Sequence, residues 1–137
     1  MSIEKGAILR SGGNIPEKEG SFYPPTLLTN VRPGMSAFDD ELFGPVAVII
    51  SAEDEDHAIE LANKTNYGLG AAIFTRDLDK GEKIAINELE AGSCSVNDFV
   101  KSDPRLPFGG IKESGYGREL SEYGILEFVN IKSIVIQ

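Results

Sequence analysis

The feature that most constrains this chain is a scheme that runs twice through its middle: a short apolar run, a helix-starting acid, an amphipathic stretch and a stop. VAVIISA, residues 46–52, is nearly continuous and β-branched, as expected of a strand buried on both faces. EDED follows at once and suits the positive end of a helix; Ala58, Leu61, Ala62 and Thr65 then recur at helical spacing until Asn66, Tyr67 and Gly68 stop it. In the second unit AAIFT is a short strand, Asp77 caps a helix with Leu78, Gly81, Ala85 and Leu89 on one side, and Gly92 ends it. Residues 93–97 form a third strand. Three strands alternating with two helices predict an α/β fold, a parallel right-handed βαβαβ sheet covered by helices.

The flanks read differently. The first 35 residues hold two short strand-like runs, 7–9 and 26–31, around the polar SGGNIPEKEG, which predicts a long hairpin or an irregular N-terminal strand arm. After Asn97 comes DFVKSDPRLPFGGIKESGYG, too long for a mere connection, so it is expected to be functional or disordered. A third helix from near Arg118 is expected to turn Leu120, Tyr123, Gly124 and Phe128 inward. The tail VNIKSIVIQ alternates like a strand with Val129, Ile131, Ser133 and Val135 on one side; such a strand joins a sheet edge or pairs with another chain.

The 137 residues suffice for one domain with a real core, and 41% hydrophobic with 26% charged residues reads as soluble and globular. A formal net charge of -9 opposes binding to nucleic acid or an anionic membrane, which needs clustered Lys and Arg, so small molecules and proteins are the expected partners. No apolar run reaches the roughly 20 residues of a transmembrane helix, and the opening has no signal-peptide core, which makes a cytoplasmic location the expectation. The single cysteine forms no internal disulfide, in keeping with a reducing compartment.

Few residues look chemical by themselves. The glycines of GIKESG, 110–115, have phosphate-loop spacing, but Tyr116 stands where lysine is required, and the Gly115 and Gly117 pair lacks the third glycine of a dinucleotide fingerprint. Those glycines read as loop residues that allow unusual backbone angles. Cys94 lies mid-strand with no base beside it and reads as inert; His57 reads as a solvated group at an acidic helix start, and no metal site is expected. ELFGPV, 41–46, poses a sharper question, because it sets a carboxylate two residues before an aromatic. Either Glu41 is a loop acid beside a core aromatic, Phe43, or the segment holds a ligand with polar and flat apolar parts.

The order ELFGPV, LANKTNYGL, FTRDL, LPFGGIKESGYGRE resembles the C-terminal part of the NAD(P)-dependent aldehyde dehydrogenases over nearly the whole chain. SDPRLPFGGIKESGYGREL followed by EYGILEFVNIKSI looks most like the succinate-semialdehyde dehydrogenase group. The resemblance implies that residues 1–128 are the C-terminal portion of a catalytic domain and 129–137 a C-terminal oligomerisation strand. It implies that Glu41 accepts hydrogen bonds from the nicotinamide ribose of NAD or NADP, and that Phe43 packs beside the nicotinamide. Lys101, Ser102 and Phe108 would line the substrate tunnel, with Lys101 and Ser102 meeting a substrate carboxylate.

The family's cysteine nucleophile, its oxyanion donors and the glutamate that activates the deacylating water all precede the matching region, as does the Rossmann unit. No catalytic residue is therefore expected here, and Cys94 does not inherit the nucleophile's role. The expectation is the last third of a homo-oligomeric oxidoreductase that turns an aldehyde into an acid, inactive by itself. The alternative is a non-catalytic assembly or binding module built on the same fold.

Overall fold

The computed structural model describes residues 1–137, which divide into two compact units, Met1–Leu61 and Ala62–Gln137.

In the first unit, β1 (Ile8–Ser11) runs antiparallel to β2 (Thr26–Thr29), with a bulge between Leu9 and Ser11, and β2 pairs in parallel with β3 (Val46–Ile49). The long hairpin read from the sequence is therefore present, and its second strand carries the core. Along β2, Thr26 and Leu28 point inward. Leu28 joins Ala7, Val31 and Met35 in a buried cluster, against which Phe38 of the one-turn helix α1 (Ser36–Asp39), Val46 and Val48 pack. Each large apolar side chain so buried stabilises the unit by about 1.5–3 kcal/mol. The buried hydroxyl of Ser2 accepts from the Ala37 N–H at 2.9 Å, which ties the N-terminus to α1.

Two expectations fail here. Strand β3 is not buried on both faces: Val46 and Val48 are half-buried, while Ala47 and Ile49 are exposed, because within this unit only one face of the strand has a covering layer. Nor do the strands form one parallel βαβαβ sheet. β3 bonds to β2, in a three-stranded sheet ordered β1-β2-β3, and the later strands make two separate two-stranded sheets.

Helix α2 (Glu55–Asn63) begins where the acids predict, with Asp54 Oδ1 accepting the His57 N–H at 2.8 Å. His57 is half-buried rather than freely solvated, and its Nδ1 accepts the Glu53 N–H at 3.2 Å. No residue of α2 is fully buried.

In the second unit, β4 (Tyr67–Gly68), β5 (Gly70–Ile73), α3 (Leu78–Asn87), β6 (Ser93–Val96), β7 (Ile111–Lys112) and α4 (Ser121–Leu126) follow in order. The βαβ crossover of this unit is β5-α3-β6, parallel, with Ile73 opposite Val96. Asp77 caps α3 as predicted, its Oδ1 accepting the Lys80 N–H at 3.0 Å. The helix stops at Asn87, short of Gly92, and buries Gly81 and Ile84 while Leu78 stays exposed. A Cβ at Gly81 would lie 2.8 Å from Thr75 Cγ2 and 2.9 Å from Val96 Cγ1, so glycine lets α3 sit close on the strands.

The long segment after β6 is folded back. β7 pairs antiparallel with β4, and Phe108 and Glu119 exchange two N–H···O bonds of 2.8 Å. Lys112 Nζ reaches the carbonyls of Asn63 (2.7 Å) and Thr65 (3.2 Å) and the Glu90 carboxylate (2.7 Å), satisfying the open C-terminal end of α2. Helix α4 starts later than Arg118: Leu120 stands at its N-cap with φ +63° and ψ 171°, outside the right-handed helical region. Of its expected inward set, Leu120 is half-buried and Gly124 buried, whereas Tyr123 is 54% and Phe128 90% exposed. The tail 129–137 forms no strand: Ile131 and Ile136 lie 88% and 90% exposed, since a strand needs a neighbour for its backbone groups and the chain provides none here. No helix is long and apolar enough to cross a membrane.

Candidate functional site

In the first unit the segment 40–45 leaves α1 through Asp40 in extended conformation. Glu41 is exposed and its carboxylate has no partner in the chain. Phe43 is 92% exposed and holds φ +45°, a left-handed conformation that costs an L-residue about 1–2 kcal/mol. The chain is pinned immediately afterwards, where the Thr26 N–H donates to Pro45 O at 2.8 Å. The reading of Phe43 as a core aromatic is thus not met within its unit. A strained, bare aromatic next to an unpartnered acceptor-only group is an arrangement the fold has no use for itself.

The second unit holds its loop firmly. Asn97, at φ +55°, ends β6, and its side-chain amide is bonded reciprocally to Thr75: the Thr75 N–H donates to Oδ1 and Nδ2 donates to Thr75 O, both 2.8 Å. Phe99 packs edge-on against Phe74, ring centroids 5.7 Å apart. Lys101 Nζ lies 2.8 Å from Asp98 Oδ2. This hydrogen bond, reinforced by the opposite charge, pushes the Lys101 ammonium up and, with the Phe99 N–H, holds the Asp98 carboxyl down. Arg105 forks onto Asp103, Nε to Oδ1 at 2.9 Å and Nη2 to Oδ2 at 2.6 Å, so the Asp103 carboxyl is also held low.

Lys101, Asp103 and Phe108 line a cleft of about 310 Å³ that also contains Cys94. Ser102 is exposed and does not line it. The structure therefore brings Lys101 and Phe108 together, leaves Ser102 off the cleft, and places Glu41 and Phe43 in the other unit. Burial pushes the Cys94 thiol up, away from the reactive thiolate. Asp98, Asp103 and Arg105 were not singled out from the sequence; the alternating charges of NDFVKSDPR were the available signal. No group of three His, Cys, Asp or Glu side chains is arranged to hold a metal ion.

The chain belongs to the aldehyde dehydrogenase family, whose pattern it matches over residues 1–134. It is 50% identical over 133 residues to a succinate-semialdehyde dehydrogenase [NADP(+)] of Deinococcus radiodurans, covering 97% of this chain and 28% of that protein. Among solved structures it resembles succinic semialdehyde dehydrogenase from Streptococcus pyogenes in complex with NADP+ (TM-score 0.91, 41% identity, 98% of this chain and 30% of that one). It also resembles Mycobacterium tuberculosis aldehyde dehydrogenase complexed with NAD+ (TM-score 0.91, 39% identity, 99% and 28%). The chain thus spans under a third of the length of these relatives, all of them aldehyde dehydrogenases.

Proposed function

We propose that this chain is the C-terminal portion of an NAD(P)-dependent aldehyde dehydrogenase that oxidises succinate semialdehyde to the acid. The observation that carries the reading is 50% identity to a succinate-semialdehyde dehydrogenase across 97% of the chain. In this reading Glu41 accepts hydrogen bonds from the nicotinamide ribose and Phe43 packs on the nicotinamide, which when bound takes up a hydride. The left-handed Phe43, already bare at 92% exposure, holds its ring where a cofactor can meet it without a rearrangement. Lys101 offers an ammonium to the substrate carboxylate at the mouth of the cleft and Phe108 supplies an apolar wall; Ser102 reaches the substrate only from outside the cleft. The nucleophile and the general base come from the rest of the enzyme.

The exposed apolar tail 129–137 gains backbone partners by adding as a strand to a neighbouring subunit, giving a homo-oligomer. A cytoplasmic location accords with the single half-buried cysteine. The test is an assay of the full-length enzyme. It should reduce NAD or NADP with succinate semialdehyde, the Cys94→Ser variant should retain that activity, and residues 1–137 alone should show none. Turnover by the isolated chain that is lost in Cys94→Ser contradicts the reading.

A further inference from the structure

Two ionisable side chains of opposite sign, Lys101 and Asp103, line the cleft, and each is met by a counter-charge that is not part of the lining. The two pairs differ in kind. Asp103 is 29% exposed and gripped by both arms of the Arg105 guanidinium, which also fixes the turn through the Arg105 N–H to Asp103 Oδ1 bond at 2.9 Å. That leaves the carboxylate with little charge to present. Lys101 is 74% exposed and is held by Asp98 through one oxygen, leaving two of its three N–H donors open.

Building on the reading of Lys101 as the contact for a substrate carboxylate, we propose that Asp98 and Arg105 are specificity-determining residues. Arg105 masks the repulsive carboxylate of Asp103, and Asp98 attenuates and aims the attractive ammonium of Lys101, so together they set how strongly the cleft favours an anionic aldehyde over a neutral one. Asp98→Asn is the cleaner probe, since asparagine keeps an oxygen for the Phe99 N–H, which Asp98 Oδ1 accepts at 2.8 Å, while its amide nitrogen replaces Oδ2 and removes both the charge and the acceptor that hold Lys101. Arg105→Gln unmasks Asp103, and Arg105→Lys keeps the charge without the fork.

The experiment compares kcat/KM for succinate semialdehyde and for butanal, a neutral four-carbon aldehyde, in the full-length enzyme at low ionic strength. Asp98→Asn should raise the ratio about two- to fivefold, the size of an exposed charge contact, and should do nothing in a Lys101→Gln background. Arg105→Gln should lower it by a similar factor, with Arg105→Lys restoring most of it. An unchanged or lower ratio in Asp98→Asn, or a ratio that does not fall in Arg105→Gln, overturns the proposal. If Lys101→Gln alone leaves the ratio unchanged, the underlying assignment of Lys101 fails and the proposal falls with it. If Lys101→Gln lowers the ratio while Asp98→Asn is silent, only the proposal fails.

Discussion

The segment 41–43 and the loop 97–108 are both proposed to meet ligands, yet the chain treats them in opposite ways. The loop is tied down by its own unit: a reciprocal amide bond at Asn97, a ring contact at Phe99, an ion pair at Lys101 and a bidentate fork at Asp103. Glu41 and Phe43 have no such support, one carboxylate without a partner and one aromatic bare in a strained conformation. The difference separates two ways of making a site. In the loop, the proposed function would rest on contacts that also hold the fold, so changes there should cost both. Glu41 and Phe43 lie exposed, so under the proposed reading changes to them should cost function far more than stability.

Substitutions can break or sharpen that contrast, and the largest effect belongs to the loop's closest backbone approach. A Cβ at Gly92 would overlap the Gly109 carbonyl, lying 2.8 Å from its carbon, so Gly92→Ala should destabilise the second unit by about 3 kcal/mol or more, read as a lowered urea midpoint. The matching change beside Phe43, Gly44→Ala, meets nothing nearer than Leu42 O at 3.7 Å and should leave the midpoint nearly unmoved. Asn97→Ala removes two hydrogen bonds and puts alanine at φ +55°, for a cost of about 2 kcal/mol; a cost below about 0.5 kcal/mol would show that the loop is held by something else. Asp77→Ala removes the α3 cap and should cost about 1 kcal/mol in the same assay. Phe43→Gly should act in the other direction, relieving the left-handed strain by up to about 1 kcal/mol while the full-length enzyme loses activity. A destabilised Phe43→Gly would mean that the ring does pack in the fold.

What could be read in advance follows the range of the forces involved. The Asp77 cap and the acidic start of α2 rest on neighbours within a few residues, and sequence shows those directly. Partner choice between strands does not: VAVIISA reads as a central strand, but nothing local says that β3 would bond to β2 and leave Ile49 outside. The strand-like tail has no strand partner within the chain for the same reason, since alternation specifies a face and not the neighbour that would cover it. The late start of α4 turned on the backbone angles of Leu120, a residue with no bias toward positive φ. Of the cleft's lining, Lys101 and Phe108 had been named through the resemblance, whereas the ion-pair partners Asp98 and Arg105 emerged only from the geometry.

The central claim is that Glu41 and Phe43 are kept out of the fold's own interactions because a cofactor completes them. Its most direct test is the single-turnover rate of hydride transfer in full-length Glu41→Gln, measured alongside its urea midpoint. We predict a rate lower by on the order of 10- to 100-fold, with cofactor affinity much less affected and the midpoint unchanged. A wild-type rate, or a rate loss matched by an equivalent loss of stability, would contradict the account.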